Sequence, residues 1–306
     1  MRMGGARCME IDLFSLPLLP AGPVPDRLAW AYLLRCADGS LYAGWTSDLA
    51  RRVAAHTAGK GARYTRARKG VGLAWCALLP DQGTAMRVEA ALKRLDKPQK
   101  EALCAAWAEE MRPRLCAATP ADAADIAAVY GWYVRNSTAT FACTEPTVED
   151  WAAEIAAAGQ KYPFLIARSG SGALLGYACA HPWGTREAFS WDVETTIYCH
   201  PGAAGRGIAR PLYAALLEAL AVQGVWNAYA RIADPNPASE RFHARLGFVC
   251  QGRCPRTGYK LDRWVGLSTW CRALKKGRAA PAPVAPPPAG QALAALLDKY
   301  ASDGIG

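Results

Sequence analysis

The spacing of apolar positions changes period several times along the chain, and those changes mark its elements. Two β-branched and aromatic runs, residues 30–35 and 41–45, flank Asp38-Gly39, a dipeptide suited to a tight hairpin turn. Leu49, Val53 and His56 then share one stripe behind Ser47 or Asp48, which predicts a capped helix. A basic loop over residues 60–69 leads to a strand at 73–78, a helix carrying Glu89, and a further capped segment from Asp96-Lys97-Pro98. Around residues 107–113 that helical pattern ends and a strand begins at 114–117. Thr119 caps a helix with Pro120 at its first position, and Thr147 caps another, with Asp150 closing an Asp variant of the capping box. Strands are expected at 163–168, 174–182 and 190–199. A glycine-rich turn (Gly202, Gly205, Gly207) opens a helix with Leu212, Leu216 and Leu220 at helical spacing. A strand at 226–232, a helix at 236–246 and a hairpin of 248–253 with 259–271 complete a mixed α/β sandwich. Residues 277–290 read as an extended Pro/Ala linker, and 291–300 as a short apolar-faced helix that docks on its own chain or a partner. The expected fold class is α/β in the α+β sense: an N-terminal segment (1–26), a small α/β domain (27–108), a mixed-sheet α/β domain (113–273) and a tail (274–306).

With 306 residues and 52% hydrophobic content, two cored domains are expected. No run of about 18 apolar residues predicts a membrane helix, and no secretory signal pattern is read at the start. Eleven cysteines are scattered without a C-x-x-C pair, which suits reduced thiols and a cytoplasmic location. The net charge of +10 is concentrated in front, where residues 27–100 hold 14 Lys/Arg against 5 Asp/Glu. Residues 114–272 hold 15 against 13. A basic face of this kind points to a polyanion, although a solvated face is its ordinary meaning.

The richest chemistry lies in W-D-V-E-T-T-I-Y-C-H-P-G-A-A-G-R-G-I-A-R-P-L-Y, from Trp191, and in N-P-A-S-E-R-F-H-A-R-L-G-F downstream. A strand that ends in glycines before a helix leaves unpaired backbone N–H groups facing whatever approaches, a natural seat for a pyrophosphate. Glu194 sits on that strand in an otherwise apolar run, a setting in which desolvation makes a carboxylate a better base. These residues resemble the GCN5-related N-acetyltransferases (GNAT), and more narrowly their phosphinothricin acetyltransferase branch, over residues 113–273. S-T-A-T-F-A-C-T-E-P-T, Y-P-F-L-I-A, G-Y-A-C-A-H-P-W-G-T-R and G-Y-K-L-D-R-W extend the likeness beyond the cofactor motif. The resemblance implies acetyl-CoA as cofactor, an amino-acid-like acceptor and a homodimer. It implies Glu194 as base and His243, at the place of the family's tyrosine, as acid toward the departing thiolate. Cofactor contacts would come from Ile197, Tyr198, Ala204, Gly205, Arg206, Gly207, Ile208, Ala209, Asn236 and Ser239. Ala204 replaces the family's cationic or amide side chain, with Arg206 or Arg210 to compensate. Trp183, Arg186 and Trp191 are the acceptor-pocket candidates, with Arg186 suited to a carboxylate. Phe189, near them, reads more simply as core. Ser190 and Val265 stand where relatives often carry an Arg and a His, so the acceptor need not be phosphinothricin itself.

In the front half, Y-L-L-R-C-A-D-G-S-L-Y-A-G-W-T-S-D-L-A-R-R-V-A-A-H resembles the GIY-YIG nuclease superfamily over residues 28 to about 105, with A-Y in place of its I-Y. The likeness implies catalytic Tyr32, Tyr42, Arg52 and His56, and Glu89 as ligand for Mg²⁺ or Mn²⁺. These types suit phosphodiester cleavage, which needs a base for water, a cation for the transition state and a metal on the leaving oxygen. Lys60, Arg63, Arg66, Arg68 and Lys69, with Tyr64 among them, would track DNA phosphates. The functional expectation is an acetyltransferase fused to an endonuclease-like module. The alternative is a nucleic-acid-binding module without nuclease activity that tethers the transferase.

Overall fold

The computed structural model describes residues 11–17, 19, 22–68, 70–203, 205–277 and 280–301. The chain divides into two compact units, Met1–Ala21 with Arg27–Met111, and Gly22–Asp26 with Arg112–Gly306.

In the first unit, β1 (Ala29–Arg35), β2 (Leu41–Thr46) and β3 (Gly72–Leu79) form an antiparallel sheet in the order β2-β1-β3. Alternation along β1 sends Ala29, Ala31 and Leu33 into one apolar cluster and Trp30, Tyr32 and Leu34 into another. Burial on both faces explains why this strand reads as a continuous apolar run. Asp48 caps α1 (Leu49–Thr57) by accepting from Arg51 N at 2.9 Å. The segment expected to be a basic loop holds one helical turn, α2 (Arg63–Arg66), organised by Thr65, whose buried hydroxyl donates to Ala62 O at 3.0 Å. Val88 and Leu92 of α3 (Gln82–Arg94) and Leu103 of α4 (Lys97–Glu110) cover one sheet face.

The second unit is built on a seven-stranded sheet. Its strands are β4 (Arg114–Ala117), β5 (Phe164–Arg168), β6 (Leu174–Pro182), β7 (Asp192–Cys199), β8 (Asn227–Asp234), β9 (Val249–Lys260) and β10 (Arg263–Ala273). They run in the order β4-β5-β6-β7-β8-β10-β9, and only β7 and β8 are parallel neighbours. α5 (Ala123–Asn136) and α6 (Val148–Lys161) bury Ile126, Val129, Trp151 and Ile155 against Phe164, Ile166 and Tyr177. The Thr147–Asp150 box at the start of α6 is reciprocal, at 3.0 and 2.9 Å. Leu212, Leu216 and Leu220 of α7 (Ala209–Gln223) are fully buried, and Gly224, at φ +102°, ends that helix as L-residues rarely can.

One expectation needs correction. The final hairpin turns at Leu261-Asp262 (φ +50° and +57°), and residues 255–257 are an irregularity within β9 opposite Gly266, not the turn. Pro255 through Gly258 carry turn chemistry, but the long ladder with β10 overrides it. The tail packs on its own chain. Ala285 N donates to Gln223 O at 2.8 Å, and α9 (Gly290–Ala301) packs on α7, where Lys299 meets Glu218 at 2.7 Å. All ten described cysteines are free thiols. Among the described residues no helix is long and apolar enough to cross a membrane.

Candidate functional site

β7 and β8 pair from Asp192↔Asn227 only as far as Glu194↔Tyr229, yet both strands run on, to Cys199 and Asp234. Their facing edges beyond that point are not paired with each other, the condition under which an extended ligand can add to a sheet. A cleft of about 860 Å³ opens there. Glu194 to Tyr198, residues 230–233, and Asn236, Ser239 and His243 of α8 (Pro237–Arg245) line it. Tyr130, Tyr133 and Trp151 add an aromatic wall from α5 and α6, which no motif in the sequence singled out.

Glu194 stands at the fork. Its carboxylate is not isolated among apolar groups, as its strand suggested. Arg231 on β8 donates Nε–H to Oε1 at 2.7 Å and its Nη2 to Oε2. The parallel register places Arg231 two residues past the partner of Glu194, on the same face, a relation that no sequence spacing displays. The carboxylate keeps 18% exposure and opens to the cleft.

Past the end of β7, Gly205 (φ +76°) and Gly207 (φ +81°) adopt backbone that favours glycine, and a Cβ on either would meet no protein atom within 4 Å. The turn therefore needs glycine for its shape and leaves open space before α7. That helix begins at Ala209 after Ile208, with no side-chain cap, so its first amides are left for another acceptor. Ala204 lies outside the described residues. His200 holds the turn's start, since its Nδ1 accepts from Gly202 N at 2.9 Å. Burial, with Arg206 adding to it, pushes its imidazole down to about 4.

Of the expected cofactor residues, Ile197, Tyr198, Asn236 and Ser239 line the cleft, whereas Gly205, Arg206, Gly207, Ile208 and Ala209 form the turn and the entry to α7. Asn236 also caps α8, accepting from Ser239 N at 3.2 Å. His243 reaches the cleft wall. Its Nδ1 lies 2.9 Å from Ser239 O and its Nε2 lies 3.2 Å from the Tyr213 hydroxyl, so both ring nitrogens have protein partners. Burial lowers its pKa, which favours the neutral ring. Tyr213 also meets Thr195 Oγ1 at 2.6 Å, which ties α7, α8 and β7 together. The acceptor-pocket candidates take other positions. Trp183 stacks on Tyr229 with centroids 4.2 Å apart, Arg186 is exposed beside a 3-10 turn, and the Trp191 indole donates to Ala282 O at 2.7 Å. None of the three lines the cleft. Phe189 is 41% exposed and is not core.

In the first unit, Tyr32, Tyr42 and His56 converge, with ring centroids 5.4–6.5 Å apart. Thr65 anchors His56, whose Nδ1 meets Oγ1 at 2.7 Å, so Nε2 turns toward the Tyr32 hydroxyl at 3.5 Å. Burial raises the Tyr32 pKa, opposed by the charge of Arg52, and burial and Arg52 together lower that of His56. Tyr32 is thus a neutral donor and His56 a neutral base. Gly44 is required by this packing, because a Cβ there would come within 2.4 Å of the Tyr32 hydroxyl. Tyr64 stacks on Tyr42 with centroids 5.8 Å apart, extending the site beyond the expected set. Glu89 pairs with Lys93 at 2.8 Å. Lys60, Arg63 and Arg66 are exposed, Arg68 is held by Asp38 at 2.8 Å, and Lys69 lies outside the described residues.

Comparison with known proteins finds a family match within each unit. A model of the GNAT acetyltransferase domain matches residues 115–267, and one of the GIY-YIG catalytic domain matches residues 28–102. Phosphinothricin N-acetyltransferase of Streptomyces viridochromogenes is 33% identical over 177 residues, spanning 58% of this chain and 93% of that protein. A UPF0213 protein of Streptococcus pneumoniae is 50% identical over 76 residues, 25% of this chain and 77% of that one. The crystal structure of a GNAT superfamily phosphinothricin acetyltransferase from Sinorhizobium meliloti in complex with AcCoA matches with a TM-score of 0.54 and 32% identity, covering 56% of this chain and 94% of that one. The chain belongs to the GNAT acetyltransferases, and a GIY-YIG domain precedes its acetyltransferase half.

Proposed function

We propose that the second unit is an acetyl-CoA-dependent N-acetyltransferase acting on the amino group of a small amino-acid-like acceptor. The observation that carries this is Glu194 at the fork of β7 and β8, inside an aromatic-walled cleft. An acceptor ammonium must lose a proton before its nitrogen can attack. Glu194 takes that proton, directly or through water, while Arg231 holds both carboxylate oxygens in place. Acetyl-CoA, when bound, supplies the activated acyl group. The open edge of β7 at Ile197 and Tyr198 would hold its extended arm together with Asn236 and Ser239, and the amides of Gly205 to Ala209 its diphosphate. The relative with bound AcCoA and the phosphinothricin N-acetyltransferase of Streptomyces support this cofactor and this acceptor class. The test is thiol release from acetyl-CoA over a panel that starts with methionine sulfoximine and phosphinothricin. Glu194→Gln should lower turnover about 10²- to 10⁴-fold with calorimetric affinity for acetyl-CoA retained. Wild-type turnover in that variant refutes the assignment.

For the first unit the proposal is DNA binding with Mg²⁺- or Mn²⁺-dependent cleavage. Arg52 neutralises charge at the phosphate, and Tyr42 or His56 provides the path for the proton of the attacking water. Glu89 is a single carboxylate, which fits a Mg²⁺ that keeps most of its waters, once Lys93 yields. Such an ion would stabilise the leaving oxygen. The paired states of Glu89 and Arg68 favour a second reading, in which the module binds nucleic acid without cutting and tethers the transferase. Branched DNA with Mg²⁺ separates the two. Cleavage lost in Arg52→Ala supports the first, and uncut but salt-sensitive binding lost on changing Lys60, Arg63 and Arg66 supports the second. A homodimer through the second unit completes the proposal, supported by the exposed Tyr259 and Trp264 of the last hairpin. The setting proposed is the cytoplasm, in keeping with the free thiols.

A further inference from the structure

We propose that Glu154, Cys179 and His181 form a binding site for a divalent zinc-type cation in the wall of the cleft. Cys179 and His181 are two residues apart on β6 and so share one face. α6 packs over that face and brings in Glu154. The Cys179 Sγ lies 3.4 Å from His181 Nε2, which lies 3.8 Å from Glu154 Oε1, and one ligand atom from each residue falls within 4.8 Å of the other two. Tetrahedral zinc bound at about 2.3 Å to sulfur and about 2.0 Å to nitrogen or oxygen sets its ligands roughly 3.3–3.6 Å apart, so small rotations close the site.

The donor set selects the metal. One thiolate, one imidazole and one carboxylate suit Zn²⁺ or Co²⁺, and they do not suit Mg²⁺ or Ca²⁺, which take oxygen. Three protein ligands leave a fourth position open, and all three residues border the cleft. Metal binding takes the thiolate form of Cys179. The thiol proton leaves to solvent, and its electron pair forms the sulfur–metal bond. His181 lies directly across from Glu194 in the β6–β7 register, and the site therefore borders the proposed base without sharing a residue with it. Metal binding here does not depend on the acetyl-transfer reading.

The test is Co²⁺ titration of the full-length, metal-free protein, following thiolate-to-cobalt charge transfer in the near ultraviolet and its displacement by Zn²⁺. One equivalent should give the band, with about one proton released. Cys179→Ser should abolish the band. His181→Gln and Glu154→Gln should weaken affinity by at least about 10-fold. Glu154 is half-exposed, so its variant tests the site without disturbing the buried thiol. Absence of the band, a band that survives Cys179→Ser, or unchanged affinity in Glu154→Gln overturns the proposal.

Discussion

His200 makes the second unit sensitive to acid at the turn proposed to seat the cofactor. The imidazole is 5% exposed and accepts the Gly202 amide, a role that needs a neutral Nδ1. An unfolded chain protonates this group near 6.5, whereas burial holds it at about 4 in the fold. Between those values the unfolded state binds more protons, so stability falls as pH falls. The contribution is complete above pH 6.5, declines through the window, and is fully lost below about 4. A displacement of that size is worth about 3 kcal/mol, roughly a hundredfold in the population of opened molecules. Protonation also puts an N–H against the Gly202 N–H, which adds local repulsion. His200→Asn retains an acceptor for that amide and removes the titration. Hydrogen exchange of β7 and α7 peptides, compared between wild type and variant from pH 7 to 4, isolates the effect from His56 and His243, whose pKa values are also lowered. The variant should lose about 3 kcal/mol less protection than wild type over that range. Parallel profiles, or an NMR titration of His200 near 6.5, would refute the reasoning.

Gly44→Ala should destabilise the first unit by about 1–3 kcal/mol, because the new Cβ meets the Tyr32 hydroxyl at 2.4 Å; a thermal melt checks it. Gly205→Ala meets open space, so its cost is conformational, about 1–2 kcal/mol, and calorimetry should show acetyl-CoA bound about tenfold more weakly. Unchanged affinity would separate that turn from cofactor binding. Tyr213→Phe removes the hydroxyl that contacts His243 Nε2 and Thr195 Oγ1, and should cost about 1–3 kcal/mol in a urea titration. If His243 only positions α8, turnover in this variant keeps its wild-type pH profile.

Local chemistry made much of the fold readable from the chain. The Thr147–Asp150 box, the Asp48 and Asp96 caps and the Asp38-Gly39 turn each act within four residues, and the structure has them all. Strands β4 and β6 were bounded correctly because their apolar runs end at polar or turn residues. The glycine turn and Glu194 were likewise visible, since a short stretch of chain carries both. Other features depend on register. Arg231 reaches Glu194 because parallel β7 and β8 set those positions side by side, and Trp183 meets Tyr229 across the sheet for the same reason. The contact of His243 with Tyr213 on α7, and that of the Trp191 indole with Ala282 O in the Pro/Ala segment, likewise join distant parts of the chain. The sequence alone thus determined the elements, their order and the residue types at each site, because caps, turns and periodicity are short-range. Only the tertiary structure decided which charges pair, which rings face the cleft and where Glu154, Cys179 and His181 meet. Those contacts join distant segments whose relative register comes from the packing of the whole sheet.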